Sequence, residues 1–169
     1  MAKLPTIVTD INCFIKETSF AGIANKATLP KVVSKTVDMV LAGVAGDIER
    51  DIGKLEKLES DITISDYSSM VLDLIGSRSS REETLTLRGA LDVGDKISTL
   101  VVKMQGYWKG VEFNELEPEK EATTKFSIAV VVYTFELDGK EIIHIDKMNN
   151  VFRVNGKDRN KEIRQALAQ

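Results

Sequence analysis

Residues 123–146 read TTKFSIAVVVYTFELDGKEIIHID, and this stretch decides the fold. It is the longest strand-forming run in the chain, broken once by Asp138-Gly139. Asp-Gly is a strong two-residue hairpin signal, because both central positions of a type I′ turn need positive φ. Counting outward from the turn sets Leu137 opposite Lys140, Glu136 opposite Glu141, Phe135 opposite Ile142, Thr134 opposite Ile143 and Tyr133 opposite His144. Alternation then predicts one face with Ala129, Val131, Tyr133, Phe135 and Ile142, and another with Phe126, Ile128, Val130, Val132, Ile143 and Ile145. Both faces are apolar. A hairpin covering one side of a lone domain is oily on one face only, so the second face is expected to meet another layer of the chain or a neighbouring subunit. Glu136 and Glu141 form a like-charge pair, and a basic group from a neighbour is expected to offset it.

Upstream, Ile11 to Ile15 and Ser19 to Asn25 read as short strands, preceded by a flexible segment of about ten residues. Val32 to Leu41 alternates, with Val33, Val37 and Met39 against Ser34, Thr36 and Asp38, as a half-buried strand does. A small-residue reversal, Leu41-Ala42-Gly43-Val44-Ala45-Gly46, follows. Beyond it Asp47, Glu49 and Asp51 share one strand face while Ile48 and Ile52 share the other, and Ser60 to Ser65 sets Ile62 and Ile64 inward against Asp61, Thr63 and Ser65. Lys54 to Glu59 fits a helical turn or a loop. Asp66 to Ile75 reads as a helix, capped by Asp66 or Ser68, striped by Met70, Val71, Leu74 and Ile75, and ended by Gly76.

Glu83 to Leu91 alternates with Leu85, Leu87 and Leu91 on one side. Ile97 to Phe113 is a long strand in which Gly106 and Gly110 predict bulges or a kink. An acidic stretch carries Glu112, Glu115, Glu117, Glu119 and Glu121. After the hairpin come a strand from Val151 to Val154, the turn Asn155-Gly156, and a helix from about Asp158 to Ala168, capped by Asp158 and striped by Ile163, Ala166 and Leu167. About seven strand segments and two short helices predict a mainly β single domain over residues 1–169, an antiparallel barrel or sandwich with one short helix mid-chain and one at the C-terminal end.

Composition excludes several classes. The 169 residues are 43% hydrophobic, enough for one real core. A net charge of −3 argues against binding nucleic acid by neutralising phosphates. The N-terminus shows no basic-plus-apolar signal pattern and the longest apolar run, Ile128 to Val132, is far too short to span a membrane, so assembly in a cytoplasm with no membrane anchor is expected. Cys13 is a lone cysteine, expected to pack as a small apolar residue.

Chemistry is mostly missing. His144 has Asp146 two residues on, yet no Ser or Cys nucleophile belongs to that stretch. Gly43 and Gly46 lack the Lys-Ser or Lys-Thr of a phosphate loop, and Asp47, Glu49 and Asp51 alternate on a strand where a loop would be needed to wrap a cation. No catalytic residue, metal or cofactor is expected. Excess strand surface and acidic strand faces suit an assembly subunit, with a small-ligand β-barrel as the competing class.

The ordered set of features resembles the major tail tube protein of contractile-tailed phages, a family shared with R-type bacteriocins. The carriers are Thr28-Leu29-Pro30-Lys31, the run Leu41 to Gly46 followed by Asp51-Ile52-Gly53, the segment closing at Gly76, Met104-Gln105-Gly106, Val132-Tyr133-Thr134 through Asp138-Gly139 to Ile145-Asp146, and Asn155-Gly156-Lys157-Asp158-Arg159 before a helix with Arg164. Where such proteins tend to carry Trp-Lys-Pro-Gly-Glu, this chain has Leu116-Glu117-Pro118-Glu119-Lys120-Glu121.

The resemblance implies a virion subunit, assembled in the host cytoplasm, that forms stacked hexameric rings around a lumen. Sheath contraction then drives the tube through an envelope and DNA passes without sequence-specific binding. Implied partners are further copies of itself, the tail sheath protein, and baseplate and tail terminator proteins; the tube of an R-type bacteriocin or related injection system is the alternative. On this reading Asp38, Asp47, Glu49, Asp51 and Asp61 are lumen-lining candidates, Leu41, Ala42, Gly43, Val44, Ala45 and Gly46 ring-stacking candidates, and Glu115, Glu117 and Glu119 sheath-contact candidates.

Overall fold

Two long antiparallel strands run through the molecule in the computed structural model, which describes residues 4–169. The elements are β1 (Ile7–Ile15), β2 (Thr18–Ser19), β3 (Ala24–Thr28), β4 (Ser34–Val40), β5 (Asp47–Leu55), β6 (Leu58–Ile64), α1 (Ser69–Leu72), a 3-10 turn (Arg78–Arg81), β7 (Thr84–Asp92), β8 (Ile97–Phe113), β9 (Thr124–Leu137), β10 (Lys140–Asp146), β11 (Val151–Val154), β12 (Lys157–Asp158) and α2 (Lys161–Ala166). The long pair is β8 and β9. On its other edge β9 pairs with β6 along its first half and with β10 along its second, so one strand serves two layers. The main sheet runs β12-β11-β10-β9-β8-β7-β1-β2, with β6 branching from β9 and β3 lying on β6. The β1–β2 hairpin extends one step past its strand ends, where the Phe20 N–H donates to the Cys13 carbonyl at 2.8 Å. Among the described residues no ladder joins β3 to β1, so the fold is a sandwich-like open barrel. β4 and β5 form a separate two-stranded sheet.

Bulges decide which side chains point inward. Both glycines of β8 sit at register shifts, one between Gln105 and Gly106 and one between Trp108 and Gly110, as their positions predict. At Gly106 a Cβ would overlap the Ala129 carbonyl oxygen, so only glycine lets β9 approach this closely. The first shift leaves Val131 of β9 without a partner on β8, since Gln105 faces Val132 and Gly106 faces Val130. The alternation of β9 flips there. Phe126, Ile128 and Val130 are buried before the bulge and Tyr133 after it.

A second shift, between Glu141 and Ile143, corrects the hairpin register: Phe135 faces Ile143, Thr134 faces His144 and Tyr133 faces Ile145. Leu137 with Lys140 and Glu136 with Glu141 stand as expected. The two expected apolar faces therefore merge. Phe126, Ile128, Val130, Tyr133 and Ile145 join one core, with Phe135 and Ile143 packed against it. Trp108 meets Phe126 edge-to-face in that core, ring centroids 5.7 Å apart.

Several boundaries differ from the sequence reading. β1 begins at Ile7, because Ile7 and Val8 pair with Asp92 and Leu91, so the expected flexible segment is strand from that point; Met1 to Lys3 lie outside the described residues. Ser19 to Asn25 is divided by a turn through Gly22 into the two short strands β2 and β3. The mid-chain helix shrinks to Ser69–Leu72, with no side-chain cap from Ser68, and the Asp66 carboxylate accepts the adjacent Tyr67 N–H instead of capping the helix. Its core stripe holds, with Val71 and Leu74 buried, and Gly76 takes a left-handed φ of +72° while donating to the Trp108 carbonyl. Lys54 to Glu59 is neither helix nor long loop, but the end of β5, a two-residue link and the start of β6. The last helix starts at Lys161, because Asp158 pairs with Arg153 in β12.

Candidate assembly interface

The β4–β5 hairpin stands apart from the main sheet and carries most of the candidate residues. Its register sets Val40 opposite Asp47, Asp38 opposite Glu49 and Thr36 opposite Asp51, so these share one face. Val37, Met39, Ile48 and Arg50 share the other. A two-residue bulge at Ile52-Gly53 separates these pairs from Lys35 opposite Lys54. Gly53 has a φ of +71° and donates its N–H to the Asp51 carboxylate at 2.8 Å, and a Cβ on it would press on Ile163 of α2. The bulge therefore sets the angle of the hairpin against the body.

The hairpin is acidic on one side and apolar with basic residues on the other. Asp38, Asp47, Glu49 and Asp51 are exposed and, among the described residues, none forms an ion pair. On the opposite face Val37 is 48% exposed, Ile48 42% and Ile52 41%, and β4 is exposed along nearly its whole length, which corrects the expectation that it is half-buried within the chain. Arg50, and Lys35 and Lys54 beyond the bulge, were not singled out by the sequence reading, although alternation alone places Arg50 beside Ile48 and Ile52. At the tip, Leu41 to Gly46 are all exposed, the Val44 N–H bonds the Leu41 carbonyl, and Gly43 and Gly46 have φ of +81° and +107°.

Asp61 is not brought to this hairpin. It lies on β6, accepts a hydrogen bond from Ser127 Oγ at 2.6 Å, and pairs with Lys125 at 3.6 Å. Glu115, Glu117 and Glu119 sit in the exposed loop between β8 and β9. Glu117 pairs with Lys120, and Asn114 holds the loop's base by accepting the Thr123 N–H and donating to the Glu121 carbonyl. Leu116 points outward at 81% exposure, and Phe113 stands edge-on to Tyr67 at 5.7 Å.

The remaining candidates are satisfied locally. Glu136 pairs with Lys103 at 3.3 Å, and Glu141 receives both Nε and Nη2 of Arg153, so this chain supplies the cations expected from a neighbour. Thr134 Oγ1 lies 2.9 Å from His144 Nδ1, while the Asp146 carboxylate accepts the Met148 and Asn149 N–H groups, so the two do not form an acid-base pair. Cys13 is fully buried, and burial pushes its thiol up to about 12, which makes it inert. Trp108, Phe126, Met104, Leu85 and Ile15 fill the interior that a ligand barrel would keep open.

A family model for phage tail tube protein FII matches residues 5–167. This chain belongs to that family. The tail tube protein of Escherichia phage P2 is 26% identical over 173 residues, covering 97% of this chain and 98% of that one. Solved structures share the fold at low identity. A chain from the sheath-tube complex of an extracellular contractile injection system, in its extended state, aligns with a TM-score of 0.58 at 11% identity, covering 78% of this tail tube protein and 91% of its own length. A chain of the sheath/tube terminator of that system aligns at 0.60 and 10% identity, covering 80% and 99%, and one from the tube-terminating cap of the anti-feeding prophage at 0.61 and 7%, covering 80% and 93%. A tail tube protein is a structural component of the virion, not an enzyme, which accounts for the missing chemistry.

Proposed function

We propose that copies of this chain close into hexameric rings, that the rings stack into a hollow tube within a contractile sheath, and that the tube conducts DNA into the host after the sheath contracts. The observation that carries this is the β4–β5 hairpin. A two-stranded ribbon is at best marginally stable alone in water, and this one leaves Val37, Ile48 and Ile52 about half exposed. A neighbouring copy is the natural cover, and closing sheets through neighbours also removes their edges.

Asp38, Asp47, Glu49 and Asp51 then form a negative lumen wall. Such a wall repels phosphates, so DNA slides where a basic wall would hold it by counterion release. Asp61 does not join that wall in this proposal, because Lys125 already answers its charge. The tip from Leu41 to Gly46 meets the next ring, its small residues allowing close backbone approach. Sheath, baseplate and terminator proteins are the outside partners, supported by the shared fold with chains of a sheath-tube complex and a sheath/tube terminator. The P2 relative favours a phage tail over a bacteriocin tube.

Negative-stain microscopy of the purified protein tests the proposal. Rings with six-fold symmetry, or rods with an axial channel, are expected. A monodisperse monomer across concentration and salt would overturn it.

A further inference from the structure

The hairpin and the β8–β9 loop lie at opposite ends of one strand. β6 starts at Leu58, after a two-residue link from the end of the hairpin, and finishes at Ile64 opposite Thr124, where the loop ends. Its 7 residues span roughly 20 Å at about 3.3 Å each. The two features are complementary in charge. One face of the hairpin presents Val37, Ile48 and Ile52, with Arg50 among them and Lys35 and Lys54 at its base, and among the described residues none of these three cations forms an ion pair. The end of β8 and the loop after it present exposed Phe113 and Leu116 with Glu112, Glu115 and Glu119, and these carboxylates likewise have no ion-pair partner among the described residues.

We propose that the basic, apolar face of the β4–β5 hairpin docks on the 112–119 segment, the end of β8 and the loop after it, of a second copy. The inference rests on the reading that the chain self-assembles, and names the two surfaces that meet. Among the described residues no ion pair joins the two patches within one chain. Joined between copies they make a head-to-tail contact, the kind that generates closed rings or open filaments. The apolar residues supply the driving force, and the charges fix orientation and reject a hairpin-to-hairpin or loop-to-loop pairing. The loop's carboxylates then face a neighbouring subunit and are not available as the sheath contact.

The test is a charge exchange in the full-length protein. One variant carries Arg50→Glu and Lys54→Glu, and the other Glu115→Lys and Glu119→Lys. All four positions are exposed, so circular dichroism and melting of the isolated subunits should match wild type. Each variant alone should need a concentration about tenfold or more above wild type to form rods, since like charges then meet at the contact. An equimolar mixture of the two, or one chain carrying all four changes, should assemble again. Wild-type rods with no loss in either variant, or loss without restoration, would overturn this contact and leave the tube reading intact. Normal rods from the loop variant that no longer bind the sheath protein would also overturn it. A wild-type protein that never assembles would overturn both.

Discussion

Two hairpins of this protein, β9–β10 and β4–β5, each face one acidic residue against another, and they handle the problem in opposite ways. In β9–β10, Glu136 faces Glu141, and Lys103 and Arg153 stand beside them. In β4–β5, Asp38 faces Glu49 and, among the described residues, no cation pairs with either. The apolar residues follow the same division. Those of β9–β10 are turned by two bulges into one core, whereas Val37, Ile48 and Ile52 stay about half exposed. One hairpin holds the subunit together; the other is left exposed, as the proposed assembly requires.

The sharpest way to break this comparison is to truncate one apolar residue in each place. Phe126→Ala removes a fully buried ring that packs on Trp108, and should cost about 3–5 kcal/mol in urea unfolding. Ile48→Ala should change monomer stability by no more than about 0.5 kcal/mol, yet suppress rods in the microscope. A large monomer loss at Ile48 would mean that the hairpin belongs to the core after all.

Glycines offer the next contrast. Gly106→Ala drives a methyl group into the Ala129 carbonyl, and is expected to cost about 3 kcal/mol or prevent folding. A Cβ added at Gly43 meets nothing within 4 Å, so Gly43→Val is expected to strain chiefly a left-handed turn, at about 1–2 kcal/mol. Soluble subunits that no longer form tubes are expected from it, and normal tubes would remove the tip from the stacking contact.

Charge changes should be smaller. Arg153→Ala leaves Glu141 facing Glu136 without its cation, but the pair is partly exposed, so a loss below about 1 kcal/mol is expected. Glu49→Gln relieves the unanswered pair and should leave the monomer unchanged or a few tenths of a kcal/mol more stable. Thermal melts of both variants would show whether the two acidic pairs differ as described.

The smallest effect is in acid. Arg164, hydrogen-bonded to Asp158, holds that carboxyl below the usual carboxylate range, aided by the Asn160 N–H. The folded value lies below the unfolded one of about 3.9, so the pair adds stability above that pH and loses it as pH falls through the folded value. The stability difference between wild type and Asp158→Asn should therefore close as pH is lowered. A difference that persists at the lowest pH would remove Asp158 as its source.

Much of the body was legible from the chain itself. The Asp138-Gly139 turn, the bulges at Gly106 and Gly110, and the inward Ile62, Ile64, Leu85 and Leu87 follow from backbone freedom and period-two alternation, which are local properties. The inversion at Val131 was not legible, because it arises from how β8 meets β9, and a run of Val130, Val131 and Val132 carries no mark of where the flip falls. The helices were overestimated for a related reason. Their apolar stripes are real, but pairing of Asp158 with Arg153 claims the start of the last helix. The alternation of β4 and β5 was visible as a pattern with an apolar side, and only the fold shows that, among the described residues, Val37, Ile48 and Ile52 are left exposed. The acidic positions 47, 49 and 51 were found by spacing, while Lys35 and Lys54 were missed because the bulge at Ile52-Gly53 is what sets them opposite each other.

Hydrogen exchange on the subunit before and after assembly tests the central claim most directly. Amides of β4 and β5 should exchange fast in the isolated subunit, while those of β8 and β9 are strongly protected, and the hairpin should gain protection in the assembled tube. Protection of β4–β5 equal to that of β9–β10 in the isolated subunit, or fast exchange that persists in the tube, would contradict a hairpin left open for its neighbour.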